Sequence, residues 1–561
     1  MWAFCIASVG YAATSSAPSK TVWNADIKAA WTKAYQTAPY TAVEYDIEEI
    51  TGTIPAALKG SVFRNGPGNF ERGGERFKHV LDGDGLISRF SIDGSTGRAR
   101  FASKFVETPF FKEEAEADQV LHRNTFGTQP DGGWVSNVGR IALKNPANTH
   151  IAVSWGGKCL ALWEAALPSR IDPATLNYVG VETFDGAGDF PDGSLTVTTG
   201  SRQVDAAVGA GVAFTAHPRE DRKRNRMVGW TWAAPMVGTE LAITICEWDA
   251  TSGKLLHSTE ESLPSPIAPH DFALTDNWYI YVLNAMELKL APFVLGLTGP
   301  VGALLTTGEG AVIRLVPRPD GNAAHREPIT IQTDDPYFAI HHATAFEEVA
   351  SSDRDAGATI KVLTAAWPKV TAGPFLGDWG GDVPLYDDGK INPTQLLEST
   401  IQVYPRASYL PKALATVERT AVVGGACIDH PHVDPRFDGD ARVRYVYMSY
   451  CNPEGNSGSP PIGWARYDRL TGETLIWKAP PKNFCEEVVV IPRPSAEGEP
   501  ETDEADVWIA AMMFDADAGK SCLCILDGDH FETGPVAQLW LKDFVPHGLH
   551  GCFTPELYGL L

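Results

Sequence analysis

From about residue 46 onward the sequence predicts an all-β fold: a sandwich, a barrel or a propeller. Two observations carry this. Short runs rich in β-branched and aromatic residues recur at fairly regular spacing, separated by Gly, Pro, Asp and Asn turns. A strand–turn–strand pattern also recurs, in IDGSTGRAR, WDATSGKLL and YDRLTGETL. Such hairpins are expected at the outer edge of propeller blades. The repeat is degenerate and shows no fixed period.

The elements follow in chain order. The opening MWAFCIASVGYAATSSAPSK has a short apolar run and then small residues, but no basic start. A targeting segment is compatible with it. In residues 23–36, Trp23, Ile27, Ala30, Trp31 and Tyr35 fall near one face of a helix. Residues 1–44 are therefore read as an N-terminal extension and residues 45–561 as a single domain, since no composition shift marks a boundary. Strand-like runs follow: GSVFRNGPG, LISRFSI, HIAVSW, MVGWTWAA, LAITICEW, WYIYVLN, AVIRLVPR, TIKVLTAAW, RVRYVYMSY, ADVWIAAMMF and CLCILDGD. LKLAPFVLGLTGPVGALL, residues 288–305, breaks the pattern. It is apolar, but Pro292, Gly296, Gly299, Pro300 and Gly302 forbid a long helix. It is read either as a buried connection or as an apolar patch that meets a bilayer or frames a tunnel mouth. Residues 494–505, PSAEGEPETDEA, are acidic and apolar-poor, and a disordered insert is expected there.

Charge and cysteines narrow the function classes. A net charge of −24 excludes a basic nucleic-acid footprint. It equally opposes simple adsorption to an anionic membrane. Nine scattered cysteines without metal-finger spacing indicate free thiols in a reducing compartment, cytosol or plastid, and no secreted disulfide framework. No obligate protein partner is evident. Asp82 and Asp84 in LDGDGL, and Arg64 to Gly68 in RNGPG, are read as structural turns. Cys522 and Cys524 are read as packed apolar residues.

The histidines are the chemical signal. His217, His270, His341 or His342, and His547 or His550 all sit at edges of β-rich segments beside Pro or Gly. From His217 to His270, His341 and His550 the intervals are 53, 71 and 209 residues. That is too long for a local metal motif, but it suits one ligand from each of several blades. Four unrelated, hydrogen-bonded histidines at strand ends fit the same spacing. Within FAIHHATAFEE, alternation sends His341 and His342 to opposite faces.

Here the residues carry a resemblance. GSVFRNGPGNF with HVLDGDGLISRFSI, PANTHIAVSWGGKCLALWE, AHPRED, HDFALTDN, IHHATAFE and GLHG occur in order over about residues 45–561. The chain resembles the carotenoid cleavage oxygenases in these blocks. The resemblance implies a seven-bladed β-propeller with a helical and loop dome over an axial ferrous ion, Fe(2+). It implies His217, His270, His341 and His550 as metal ligands, with His342 facing away and His547 in the pocket or behind a ligand ring. Three carboxylates would each hold a ligand ring: Glu164 with His270, Asp429 with His341, and Glu487 with His550. Asp429 departs from the family's Glu, so either the backbone moves in or a water bridges. Gly548 and Gly551 would allow close approach near the axis. The implied activity is cleavage by O2 of a conjugated C=C bond in a carotenoid or apocarotenoid drawn from a membrane. A stilbenoid substrate is the alternative within the family, opposed by Trp163, where that branch has Lys. A non-catalytic lipid- or partner-binding propeller is the other.

Overall fold

The most apolar runs become strands covered on both faces. Val507–Asp515 reads VWIAAMMFD. Trp508, Ala510 and Met512 pack against strands of residues 84–105. Val507, Ile509, Ala511 and Met513 pack the opposite way, against Tyr445, Tyr447 and Trp464. Alternation is still present, but both faces meet apolar neighbours, so the run reads as continuous. Trp278–Leu283 divides in the same way. Trp278, Ile280 and Val282 face one neighbour, and Tyr279, Tyr281 and Leu283 face the other.

The computed structural model describes residues 25–560, except 185–195, 199–202, 204–209, 236–239, 324, 349–356, 371, 375–393, 405–413, 424–426, 452–459 and 495–503. The targeting-like segment and nearly all of the expected acidic insert lie outside the described residues. Among the described residues, seven sheets, antiparallel but for one short parallel pairing of Val197–Thr198 in the third, form the blades of a β-propeller. Their edge strands line the axis. In blade order these are Gly551–Thr554, His150–Trp155, the pair Ala213–Phe214 and Arg219–Asp221, Phe272–Leu274, Phe338–Glu348, Cys427–His432 and Asn483–Pro492. A hydrophobic cluster fills each gap between neighbouring blades.

Both chain ends close the ring. Glu49–Gly52 adds a rim strand to the seventh blade, pairing with Pro535–Trp540. Gly551–Thr554 adds the axial strand of the first blade, pairing Ser61 to Arg64 with Thr554 to Gly551. This second closure delivers His550 to the axis. The predicted N-terminal helix is observed at Ala25–Lys33. Its fully buried Trp31 packs on Phe484 and on the His547 ring, 4.8 Å away.

Outside the blades, residues 288–305 form the short helix Leu290–Val294, a single 3-10 turn and the strand Leu304–Thr306. The glycine- and proline-broken pattern is thus realised as short pieces. All eight described cysteines are free. Among the described residues no helix is long and apolar enough to cross a membrane.

Candidate metal centre

The axial strands bring four imidazoles together. One nitrogen from each of His217, His270, His341 and His550 lies within 4.8 Å of the others. His217 Nε2 is 3.1 Å from His270 Nε2, which is 3.3 Å from His341 Nε2. They come from the third, fourth, fifth and first blades, so no local motif could signal them.

Three carboxylates on the second, sixth and seventh blades set the rings. Glu164 Oε2 accepts from His270 Nδ1 at 2.7 Å. Asp429 Oδ1 accepts from His341 Nδ1 at 2.8 Å, and Glu487 Oε1 from His550 Nδ1 at 2.7 Å. A donating Nδ1 leaves Nε2 as a bare lone pair. The carboxylates thus aim lone pairs at one shared point, an arrangement that is repulsive without a cation. Donors about 2.1 Å from a common ion lie about 3.0 Å apart when adjacent, so the observed spacing fits a bound metal. Burial, reinforced by the neighbouring imidazoles, holds His217 well below the ordinary histidine range. Burial does the same for His550. Both are therefore neutral and able to ligate.

Backbone irregularities place these groups. Register shifts bracket His341 and His342, between Ala339 and His341 and between His342 and Thr344. His342 turns away: its Nδ1 meets Thr364 Oγ1 at 2.8 Å, and its N–H donates to Asp271. Another shift falls between Asp429 and His432, with His430 at φ +49°. On a regular strand residues three apart face opposite ways; the bulge turns both Asp429 and His432 inward. Asp429 reaches His341 directly despite its shorter chain. His547 packs under Trp31 and Tyr35, with Nδ1 3.9 Å from Glu486 Oε1. It packs against the N-terminal helix, where a place in the pocket or behind a ligand ring was expected.

Other residues play parts that the sequence reading did not assign. Arg64, expected in a turn, lies within the strand Lys59–Asn69, is 3% exposed and clamps Glu487 Oε2 at 2.8 Å and Glu486 Oε2 at 2.7 Å. Burial opposes its charge, and the two carboxylates more than compensate. An arginine amid the strand residues of GSVFRNG was the available signal. His432 Nε2 donates to Glu487 Oε1 at 2.8 Å. Burial alone would raise the Glu487 carboxyl, but His550 and His432 hold it well below its usual range. His150 Nδ1 donates to the Ala216 carbonyl at 2.8 Å, beside His217. The His430 ring stands 4.9 Å from that of His341. Asp82 and Asp84 are internal clamps. Asp82 accepts from the Phe126 and Thr128 amides, and Asp84 meets Asn69, Arg72 and Lys144.

A propeller carrying four converging imidazoles on its axis, backed by carboxylates, defines a non-haem metal protein of the four-histidine kind. The chain belongs to the carotenoid cleavage oxygenase family: the family model described as retinal pigment epithelial membrane protein matches residues 36–555. It is 32% identical over 529 residues to the apocarotenoid-15,15'-oxygenase of Synechocystis sp., covering 93% of this chain and 96% of that protein. The crystal structure of cobalt-substituted Synechocystis ACO aligns at 30% identity and a TM-score of 0.78, covering 94% of this chain and 98% of that one. The isoeugenol monooxygenase of Pseudomonas nitroreducens is 25% identical over 92% of this chain and 96% of its own length.

Proposed function

We propose that His217, His270, His341 and His550 hold one ferrous ion, and that the protein uses O2 to split a conjugated C=C bond of an apocarotenoid or carotenoid into two carbonyl fragments. The observation that supports this best is the convergence of four carboxylate-set imidazole nitrogens within 4.8 Å, in a chain similar end to end to an apocarotenoid oxygenase. When bound, a ferrous ion with four neutral ligands keeps its full charge and open positions for O2 chemistry. The chain's own residues have a different task. Glu164, Asp429 and Glu487 keep each Nδ1 proton in place and raise the basicity of the ring. Moving the carboxylates one shell out leaves the ion's charge unquenched. No side-chain acid or base is required, because O2 addition across a C=C bond balances without a proton.

Cleavage of a phenolic alkene is the second reading, favoured by the similarity to an isoeugenol monooxygenase. Against a stilbenoid, Trp163, not a lysine, precedes Glu164, and it is 6% exposed. The deciding experiment reconstitutes the protein with ferrous iron and follows O2 uptake and product masses over apocarotenals, carotenoids, isoeugenol and resveratrol. Apocarotenal fragments with one oxygen atom from 18O2 are expected. Fragments from the phenolic alkenes alone would move the substrate class, and no uptake on any substrate would leave a non-catalytic propeller.

Access of so apolar a substrate is proposed to be through a bilayer-facing patch. Trp134, Val135 and Val138 are exposed, as are Leu290, Val294, Leu295 and Leu297. The Gly139 amide donates to the Val294 carbonyl at 2.8 Å, which joins the two segments. Phe293 is not part of this surface; it is 8% exposed under the Arg123 guanidinium. Replacing Trp134, Leu295 and Leu297 by Ser should abolish flotation with liposomes while leaving activity on detergent-dispersed substrate. Flotation that survives refutes the patch.

A further inference from the structure

We propose that His432 is a positioning residue that sets the donor strength of the His550 arm by sharing the oxygen on which His550 hydrogen-bonds. The inference rests on the reading of the four histidines as metal ligands. Glu487 Oε1 receives two N–H groups, His550 Nδ1 at 2.7 Å and His432 Nε2 at 2.8 Å. Its other oxygen, Oε2, is held by Arg64 Nη1 and the Gly551 amide, both at 2.8 Å. Every direction of this 1%-exposed carboxylate is thus occupied.

The two histidines compete for one oxygen. A hydrogen bond to a carboxylate stabilises its charge and lowers its basicity. The pull of Glu487 on the Nδ1 proton of His550 is therefore weaker with His432 present than without it. A weaker pull makes His550 a poorer electron donor at Nε2. Removing His432 should not release the carboxylate, because Arg64 and Gly551 still fix it. It should strengthen the remaining bond.

The location supports a tuning role over a packing one. The His432 side chain is 40% exposed, against 7% for His550, so it is the end of the chain of contacts that lies nearest solvent. It reaches Glu487 only because the bulge after Asp429 reverses its face. Pro431, which has no N–H to leave unpaired, sits in that bulge.

The test uses the full-length chain and three variants, H432L, H432A and H432Q. Apo stability is first checked by denaturant unfolding. Cobalt(II) binding is then titrated by its visible absorption, and the midpoint potential is measured on the iron form. H432L should bind cobalt about three- to tenfold more tightly, a fraction of the usual outer-partner effect, and should show a lower iron potential. H432A should follow it, which covers a leucine variant that fails to fold. H432Q, whose amide N–H can replace the lost donor, should match wild type. Unchanged or weaker cobalt binding in H432L and H432A, or a glutamine variant that behaves like them, overturns the inference while the ligand set stands. Wild type that takes up no cobalt overturns the ligand set, and this proposal with it.

Discussion

Replacing Glu487 by Gln, with Glu164→Gln as its counterpart, separates what a carboxylate does for the metal from what it does for the fold. The two side chains make the same contact with a ligand ring, each 2.7 Å from an Nδ1. Their surroundings differ. Glu487 is 1% exposed and accepts four hydrogen bonds, from His550, His432, Arg64 and Gly551. Glu164 is 46% exposed. An amide offers one oxygen, so its NH2 group would face two of the donors around position 487. Hydrogen bonds to charged groups contribute about 1.5–3 kcal/mol each. Arg64 would keep Glu486 as a partner, so its charge is not left unpaired. Loss of two such bonds should therefore cost the apo protein about 3–6 kcal/mol in Glu487→Gln. In Glu164→Gln the half-exposed contact should cost at most about 1 kcal/mol. Metal affinity should fall about 10–100-fold in both, because each ring loses the partner that sets its tautomer. Denaturant unfolding of the metal-free proteins and cobalt titration measure the two quantities separately. Equal stability losses, or a Glu164→Gln protein that binds metal like wild type, would refute the reasoning.

Two further predictions follow from the same frame. A Cβ at Gly551 would stand 2.4 Å from the Phe63 carbonyl oxygen and 2.7 Å from Arg64 Cδ. Gly551→Ala should therefore force the closing strand away, cost about 1–3 kcal/mol and weaken metal uptake by displacing His550; unchanged unfolding and uptake would show that the strand can give. Burial pushes the Asp82 carboxyl up to about 6, although the Phe126 and Thr128 amides donate to it. A carboxyl raised in the folded state favours the protonated form there, so stability should fall as pH rises from about 4, the unfolded value, to about 6. Unfolding midpoints across that window check it: Asp82→Asn should flatten the slope relative to wild type, and an identical slope would remove Asp82 as its source.

The sequence carried the local half of this protein. The hairpin pattern and the β-rich runs showed the all-β class, because alternation and turn chemistry are properties of neighbouring residues. Ordered blocks around His217, His270, His341 and His550 pointed to the four-histidine centre, and the broken pattern of residues 288–305 correctly denied a long helix. What lay beyond sequence reading depends on contacts between distant residues. Arg64 meets Glu486 and Glu487 from more than 400 positions away. His432 reaches Glu487 across a blade boundary, and only because a bulge overrides the alternation that would have turned it outward. Phe293 is hidden by Arg123, a residue 170 positions away, so its apolar character gave no hint of which side it would take. Periodicity can report which face a strand buries. The ring's closure by its two ends decides which blades are neighbours, and therefore which charges meet at the axis.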